Sequence, residues 1–216
     1  MLEDVAIILG LSTNGMPVIG STFNNYEALE AECLDKFGVA PRKTEYRGNF
    51  IKLTWFRGLK DRLVLVDDIH IQRYVKCHIM LLFGTVMFGD KSGTEVHWKF
   101  LPLLHNFAGI IQFSWGSACL AHIYRVLCRI TRVNCKEIDG PLTLLLTGAW
   151  ICLPFLAPIL GNPRLFPIAN RWRNWEQIGH PYRFRSLFVW KAYAIGRIDL
   201  DVIPFEIRRI RLFGVS

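Results

Sequence analysis

Charged residues are scarce in this chain of 216 residues. Asp, Glu, Lys and Arg make up 20% of it, whereas 51% is hydrophobic. This balance excludes an intrinsically disordered protein, because disordered chains carry too few apolar residues to form a core. The 17 glycines and 10 prolines are too few for a fibrous chain. The length allows one large domain or two small ones, and we predict a single domain over residues 1–216.

Cysteine pairs with short spacing are absent. The six cysteines lie at long, irregular intervals without a C-x-x-C, which argues against a disulfide scaffold and favours a reducing compartment, the cytosol or nucleus. Cys119 and His122 have the spacing of one helix face, but a zinc site needs two further ligands and the sequence offers none in register. We therefore predict that these residues belong to the core.

A secretory signal is also missing, because acidic Glu3 and Asp4 stand where such a signal carries basic residues. Residues 141–160 contain no charge and have the length of a membrane span. Pro154 and Pro158 interrupt this segment, and each removes a helix hydrogen bond. We predict a buried helix over residues 142–153, so a membrane partner is unlikely on this reading, and a single-span membrane protein remains the weaker alternative.

Recognisable catalytic motifs are absent. The sequence has no glycine-rich phosphate loop, and no two of its histidines have the H-x-x-x-H spacing of a helical metal pair. The run from Ser114 to Ala118 lacks the second glycine of a nucleophile elbow around Ser117. We predict that the chain is not an enzyme and that it holds no metal or cofactor.

Basic residues are concentrated near the C-terminus. Residues 164–216 hold 10 bases and 4 acids, whereas residues 1–163 hold 16 bases and 14 acids. Clustered bases and aromatic rings suit single-stranded nucleic acid, but tryptophan packed in a core with arginine reaching solvent gives the same pattern. The candidate interaction residues are Arg171, Trp172, Arg173 and Trp175.

Hydrophobic periodicity predicts a mainly α, compact multi-helix domain with at most a short β-hairpin near residues 15–22. One helix begins at Asp67 or Asp68, and its predicted buried stripe is Ile71, Tyr74, Val75, His78, Ile79 and Leu82. Residues 49–59 also read as helical. Ser114 is predicted to cap a further helix, whose inward side chains are Ala118, Cys119, His122, Ile123, Leu127 and Ile130.

Several blocks in order resemble the plant mobile domain, which maintenance-of-meristems-like proteins share with plant transposons. The resemblance is carried by these residues, which we expect to be structural: Leu2, Glu3, Asp4, Val5, Gly10, Leu11 and Gly20, then Asp90, Lys91, Ser92 and Gly93, then Leu101, Pro102 and Leu103, then Ser114, Trp115, Gly116, Ser117, Tyr124 and Arg125, and finally Trp150. It weakens after about residue 160, and it implies a copy truncated at its N-terminus.

The resemblance implies a non-enzymatic nuclear interaction module with a role in transposon silencing, genome stability and meristem maintenance. It also implies a protein partner, with a plant long-form-type phosphatase as one candidate. The "aminotransferase-like" label of this family would require a Schiff-base lysine, and Lys91 is the one lysine inside a shared block; we interpret it as a turn residue. The alternative function is a transposon-derived protein that binds nucleic acid through its basic, aromatic C-terminal region.

Overall fold

A computed structural model describes residues 2–21, 25–131, 138–154, 156–158 and 160–172. The predicted mainly α class is confirmed in these ranges. Six α-helices are described: α1 (Leu2–Leu9), α2 (Tyr26–Phe37), α3 (Leu53–Arg62), α4 (Asp68–Leu82), α5 (Trp115–Ile130) and α6 (Leu142–Cys152). Shorter turns of other helix types cover Phe83–Met87, Trp98–Leu104, Phe107–Gln112 and Ile168–Trp172.

The chain divides into two compact units. Unit 1 is built from the described parts of residues 1–15, 114–121 and 142–216, and unit 2 from those of residues 16–113 and 122–141. Helix α5 contributes its first half to unit 1 and its second half to unit 2. The single domain over residues 1–216 stays a prediction.

In unit 1, helix α1 packs against α6 and the 3₁₀ turn Ile168–Trp172. Its buried side chains are Val5, Ala6, Ile7 and Ile8. The helix ends at Gly10, whose φ of 69° lies in the left-handed region that favours glycine. A side chain at Gly10 would come within 2.5 Å of the Pro167 ring. The glycine therefore also permits the residues around the turn Ile168–Trp172 to pack closely on the end of α1.

Helix α6 lies where the uncharged segment predicts a helix. It runs from Leu142 to Cys152 and buries Leu144, Thr147 and Ile151, while Leu142 and Leu146 are exposed. Within the described ranges, no helix combines the length and the apolar character needed to cross a membrane.

In unit 2, capping side chains fix the starts of α2 and α4. Asn25 Oδ1 accepts a hydrogen bond from the Ala28 amide at 3.0 Å, and Asp67 Oδ1 accepts one from the His70 amide at 2.8 Å. Such caps satisfy amides that have no partner inside the helix. Helices α3 and α4 pack against each other, and α4 also packs on α2.

A small antiparallel sheet in unit 2 corrects two of the sequence predictions. It has the order β1 (Tyr46–Arg47), β2 (Phe50–Lys52) and β3 (Glu95–His97). The first part of the predicted 49–59 helix is therefore a strand, because the turn through Gly48, at φ 53°, lets residues 50–52 pair with β1 and β3. Among the described residues near 15–22, Met16 forms an isolated parallel bridge to Phe113 in place of the predicted hairpin.

The buried faces of α4 and α5 also differ from the predicted stripes. Helix α4 buries Lys76, Cys77 and Met80, whereas Ile71 and Leu82 are 44% and 51% exposed. Helix α4 carries apolar residues on two faces, so periodicity alone selected the wrong one. In α5, Cys119 and Ile123 are buried as predicted, but Val126 is buried where Leu127 was expected.

Candidate functional site

The block Asp90–Gly93 forms a turn organised by one carboxylate. Asp90 Oδ1 accepts hydrogen bonds from the amides of Thr94 and Glu95, both at 3.1 Å. Asp90 Oδ2 accepts bonds from the Ser92 amide and hydroxyl, at 3.0 and 2.5 Å. Burial raises the pKa of Asp90, but the hydrogen bonds from Ser92, Glu95 and Thr94 outweigh it and the pKa is lowered overall. The turn therefore leads the chain into β3, and both oxygens of the Asp90 carboxylate accept hydrogen bonds within it.

Lys91 and Gly93 complete this turn. Gly93 adopts a φ of 63°, and its amide donates to the Asp90 carbonyl at 3.0 Å. The Lys91 side chain is exposed, which a Schiff-base lysine in a cofactor pocket would not be. This placement agrees with its interpretation as a turn residue.

The block Ser114–Ser117 joins the start of α5 to residues 12 and 13 within unit 1. The Gly116 amide donates to the Ser12 carbonyl at 2.7 Å. The Ser114 hydroxyl donates to Ser117 Oγ at 2.7 Å, and the Ser117 hydroxyl donates to the Thr13 carbonyl at 3.1 Å. A Cβ atom on Gly116 would lie 2.9 Å from the Ser12 carbonyl oxygen. The absence of a side chain at 116 thus permits this close approach, and both serine hydroxyls bind within the fold.

Most other members of the shared blocks lie in packed positions. Val5, Leu101 and Trp115 are buried, while Pro102 and Leu103 are half-buried in the 3₁₀ turn Trp98–Leu104. Leu2, Tyr124 and Arg125 are exposed, and the remaining positions are half-buried: Glu3, Asp4, Gly10, Leu11, Gly20 and Trp150.

Two of the four candidate interaction residues are part of the interior of unit 1. Arg171 and Trp172 are 5% and 8% exposed. Trp172 Nε1 donates to the Pro158 carbonyl at 3.1 Å, its ring lies 5.4 Å from that of Trp150, and Arg171 Nε donates to the Leu165 carbonyl at 3.0 Å. The 3₁₀ turn points both side chains inward, so Trp172 agrees with the alternative of a tryptophan packed in the core, whereas Arg171 does not reach solvent as that alternative expects. An interaction role for these residues stays a prediction. Arg173 and Trp175 lie outside the described residues.

Three of the five cysteines in the described helices behave as core side chains, whereas Cys128 is exposed and Cys152 half-buried. Cys33, Cys77 and Cys119 are buried, and burial raises the pKa of each thiol to about 12. Such thiols are protonated at neutral pH and are poor nucleophiles and metal ligands. Within the ranges that the structure describes, no group of three or more His, Cys, Asp or Glu residues could hold a metal ion.

His122 packs inside unit 2. Its ring lies 5.7 Å from that of Phe88, and a Cβ atom on Gly140 would come within 2.7 Å of His122 Cδ2. Burial lowers the pKa of His122, the charges of Lys99, Arg125 and Arg129 lower it further, and Asp139 opposes them. This neutral ring fits a packing role better than an acid–base role.

An ion network around the buried Lys36 in unit 2 escaped the sequence analysis. The Lys36 side chain is 1% exposed, and its ammonium lies 2.5 Å from Asp35 Oδ2, 3.3 Å from Glu32 Oε2 and 2.7 Å from His105 Nδ1. The hydrogen bond and charge of Lys36 lower the pKa of Asp35. The i, i+4 spacing of Glu32 and Lys36 predicts a surface pair, and nothing in the pattern indicates that Lys36 is buried.

With this geometry in hand, comparison with known proteins gives the family. The family model described as plant mobile domain matches residues 1–198, and the chain belongs to the plant mobile domain family. No solved structure matches it.

The curated relatives that match come from Arabidopsis thaliana. A Serine/threonine-protein phosphatase 7 long form homolog is 37% identical over 150 residues, which cover 69% of this chain and 11% of that protein. Protein MAIN-LIKE 2 is 30% identical, over 95% of this chain and 31% of the relative. Protein MAINTENANCE OF MERISTEMS is 27% identical, over the whole chain and 46% of the relative. The chain thus spans less than half the length of these relatives.

Proposed function

We propose that this chain is a non-enzymatic protein-interaction module of the nucleus, with the family's role in transposon silencing, genome stability and meristem maintenance. The carboxylate of Asp90 and the hydroxyls of Ser114 and Ser117 already bind groups of the fold. This use supports a structural role for the shared blocks. The proposed working surface then lies elsewhere on the chain.

The observation that carries the proposal is an apolar ridge, defined here as Val64, Leu65, Val66 and Ile69, between α3 and the first turn of α4. These side chains are 69%, 50%, 71% and 60% exposed. Exposed apolar groups so close together are typical of protein-interaction sites. We place the partner on this ridge.

The partner we propose is a phosphatase of the plant long-form type. The support is the relative whose name carries that activity, which is 37% identical to this chain over 150 residues. Binary binding of the purified full chain to a purified long-form phosphatase, measured by calorimetry, tests the idea. The Val64→Ser/Val66→Ser variant should lose at least tenfold in affinity, because buried aliphatic anchors contribute strongly to an interface.

Ile111→Ser is the matched control for this experiment. Ile111 is 82% exposed and lies outside the ridge, so its replacement should leave binding unchanged. Equal losses in both variants, or no binding by the wild-type chain, would contradict the partner. Exclusion of a fluorescent fusion from the nuclei of plant cells would contradict the nuclear site of action.

Nucleic-acid binding through the C-terminal basic region is the second candidate function. The favouring observation is the excess of bases in residues 164–216, 10 against 4 acids. Such binding weakens steeply with salt, because each neutralised phosphate releases counterions. Binding to duplex DNA that stays constant between low and physiological salt would count against it.

A further inference from the structure

The outer face of the small sheet in unit 2 carries bases beside aromatic rings. Side chains that pair across neighbouring strands lie on the same face of a sheet. Arg47 pairs with Phe50, and Phe50 pairs with His97, so these three residues share one face. Lys52, two residues after Phe50, lies on this face too. The opposite face holds the buried Ile51 and Val96.

The side chains of this face differ in exposure. The Arg47 side chain is 80% exposed, Lys52 is exposed, and Phe50 and His97 are half-buried. The rings of Phe50 and His97 meet edge to face, with centroids 4.9 Å apart. Glu95 also lies on this face; its side chain is buried and is ion-paired to Arg47 at 3.5 Å.

The bases continue beyond the sheet. The Lys99 amide donates a hydrogen bond to His97 Nδ1 at 3.1 Å, so Lys99 lies next to His97. Its side chain is half-buried against Gly20, and its ammonium lies 5.0 Å from the centre of the Phe100 ring. Burial lowers the pKa of Lys99, and the nearby charge of Arg125 lowers it further. Arg125 is exposed and lies close enough to Lys99 for its charge to act on that ammonium.

The pKa of His97 shows what this histidine contributes. Burial lowers it to about 4, with the charge of Lys99 as the second cause. The ring is therefore neutral at physiological pH. It adds an aromatic surface beside Phe50 and no charge.

We propose that this row, Arg47, Lys52, Phe50, His97, Lys99 and Arg125, binds single-stranded nucleic acid. The bases would follow the phosphates, and the Phe50–His97 pair would contact a nucleobase, as in proteins that combine a basic groove with aromatic stacking. An acidic peptide would use the bases alone and gain nothing from the rings. This row shares no residue with the apolar ridge on which we place the protein partner. It also shares none with the C-terminal basic region, residues 164–216, so the inference is independent of both.

Charge is tested first, with the full chain and a fluorescein-labelled single-stranded 15-mer of mixed sequence, by fluorescence anisotropy over a salt series. The Lys52→Gln/Arg125→Gln variant should weaken binding at least tenfold. It should also reduce the slope of log affinity against log salt by about 1.4, because each phosphate contact on a single strand contributes about 0.7.

A matched variant removes the same charge elsewhere. Arg57→Gln/Arg62→Gln acts on exposed positions of α3 and should bind within twofold of the wild type. The proposal is overturned if this control weakens binding as much as the Lys52/Arg125 variant does, or if the wild type does not bind the 15-mer.

The rings are tested separately with Phe50→Leu. Loss of stacking should weaken binding roughly five- to hundredfold, since stacking contributes about 1–3 kcal/mol per base. The salt slope should stay unchanged, because no charge is lost. Thermal unfolding shows whether this variant folds, and the surface variant Lys52→Gln/Arg125→Gln keeps the proposal testable if it does not. Unchanged affinity in folded Phe50→Leu, together with salt-sensitive binding to an acidic peptide, would overturn the proposal in favour of the peptide.

Discussion

The two units stabilise their turns and cores with different chemistry. In unit 1, the described contacts of the Ser114–Ser117 block join neutral hydroxyl, amide and carbonyl groups at short range. In unit 2, charged groups make the corresponding contacts: the buried Lys36 contacts two carboxylates and His105, and the Asp90 carboxylate holds a turn. We therefore expect unit 1 to respond mainly to added volume, and unit 2 mainly to loss of charge and to pH.

The largest expected effect comes from leaving the buried ammonium of unit 2 without its carboxylates. In Glu32→Gln/Asp35→Asn, Lys36 stays buried and loses both ionic partners. We expect the free energy of unfolding to fall by about 3 kcal/mol, since uncompensated buried charges cost about 3–5 kcal/mol and Asp35 is largely solvent-exposed. Urea unfolding at neutral pH measures the change.

Lys36→Met is the informative control for this loss. It removes the buried charge and keeps the length of the side chain, so stability should remain within about 1 kcal/mol of the wild type, as for other buried ions replaced by apolar residues. If Lys36→Met lowered the free energy of unfolding as much as the carboxylate variant does, the ion network would itself stabilise the fold. Its carboxylates would then do more than compensate the buried charge of Lys36.

The next effect concerns added volume in unit 1. Gly116→Ala places a Cβ atom 2.9 Å from the Ser12 carbonyl oxygen, and we expect a loss of about 1–3 kcal/mol, the usual cost of overpacking. Gly148→Ala is the matched helical control, because its Cβ would lie 3.9 Å from the Ile8 side chain, an ordinary contact. Thermal unfolding should show a lower Tm for the first variant and an equal or higher Tm for the second; the reverse order would refute the account of this junction.

A smaller effect concerns the pH dependence of the stability of unit 2. The folded pKa of Asp90 is lowered, so its contribution to stability is fully present above the ordinary carboxyl pKa of about 3.9 and is lost as the pH falls through the lower, folded value. Asp90→Asn should therefore lower the unfolding midpoint at neutral pH and flatten the decline in acid. Urea midpoints between neutral and acidic pH measure both.

Lys91→Ala, in the same turn, is the control for Asp90. Because the Lys91 side chain is exposed, stability should change by less than about 0.5 kcal/mol. A pyridoxal absorbance band that is present in the wild type and lost in Lys91→Ala would instead contradict the non-enzymatic proposal.

Local signals in the sequence predicted much of the fold. The cap at Asp67 and the uncharged helix ending near Pro154 both depend on neighbouring residues, and the structure contains α4 and α6 at these places. Two features depend on distant partners and could not be read locally. The strand Phe50–Lys52 forms by pairing with Glu95–His97, and the buried face of α4 is chosen by α2 and α3.

The placement of the candidate interaction residues could be predicted only in part, for the same physical reason. The sequence allows either a basic, aromatic surface at Arg171 and Trp172 or a tryptophan packed in the core, and carbonyl acceptors at Leu165 and Pro158 hold both side chains inside unit 1. The surfaces now proposed became visible only when exposure was known: Val64 and Val66 look like core residues in the sequence. Sequence patterns identify which residues are apolar, whereas packing decides which of them remain exposed.

We propose that the shared blocks build the fold and that the apolar ridge binds the partner. The most direct test of this proposal measures stability and phosphatase affinity on the same preparations of Asp90→Asn, Ser117→Ala and Val64→Ser/Val66→Ser. We expect Asp90→Asn and Ser117→Ala to lower the free energy of unfolding but to bind the phosphatase normally at a temperature where they are folded. We expect Val64→Ser/Val66→Ser to keep the stability of the wild type and to lose at least tenfold in affinity. A fully stable Asp90→Asn or Ser117→Ala that no longer binds, or a ridge variant that binds like the wild type, would contradict it.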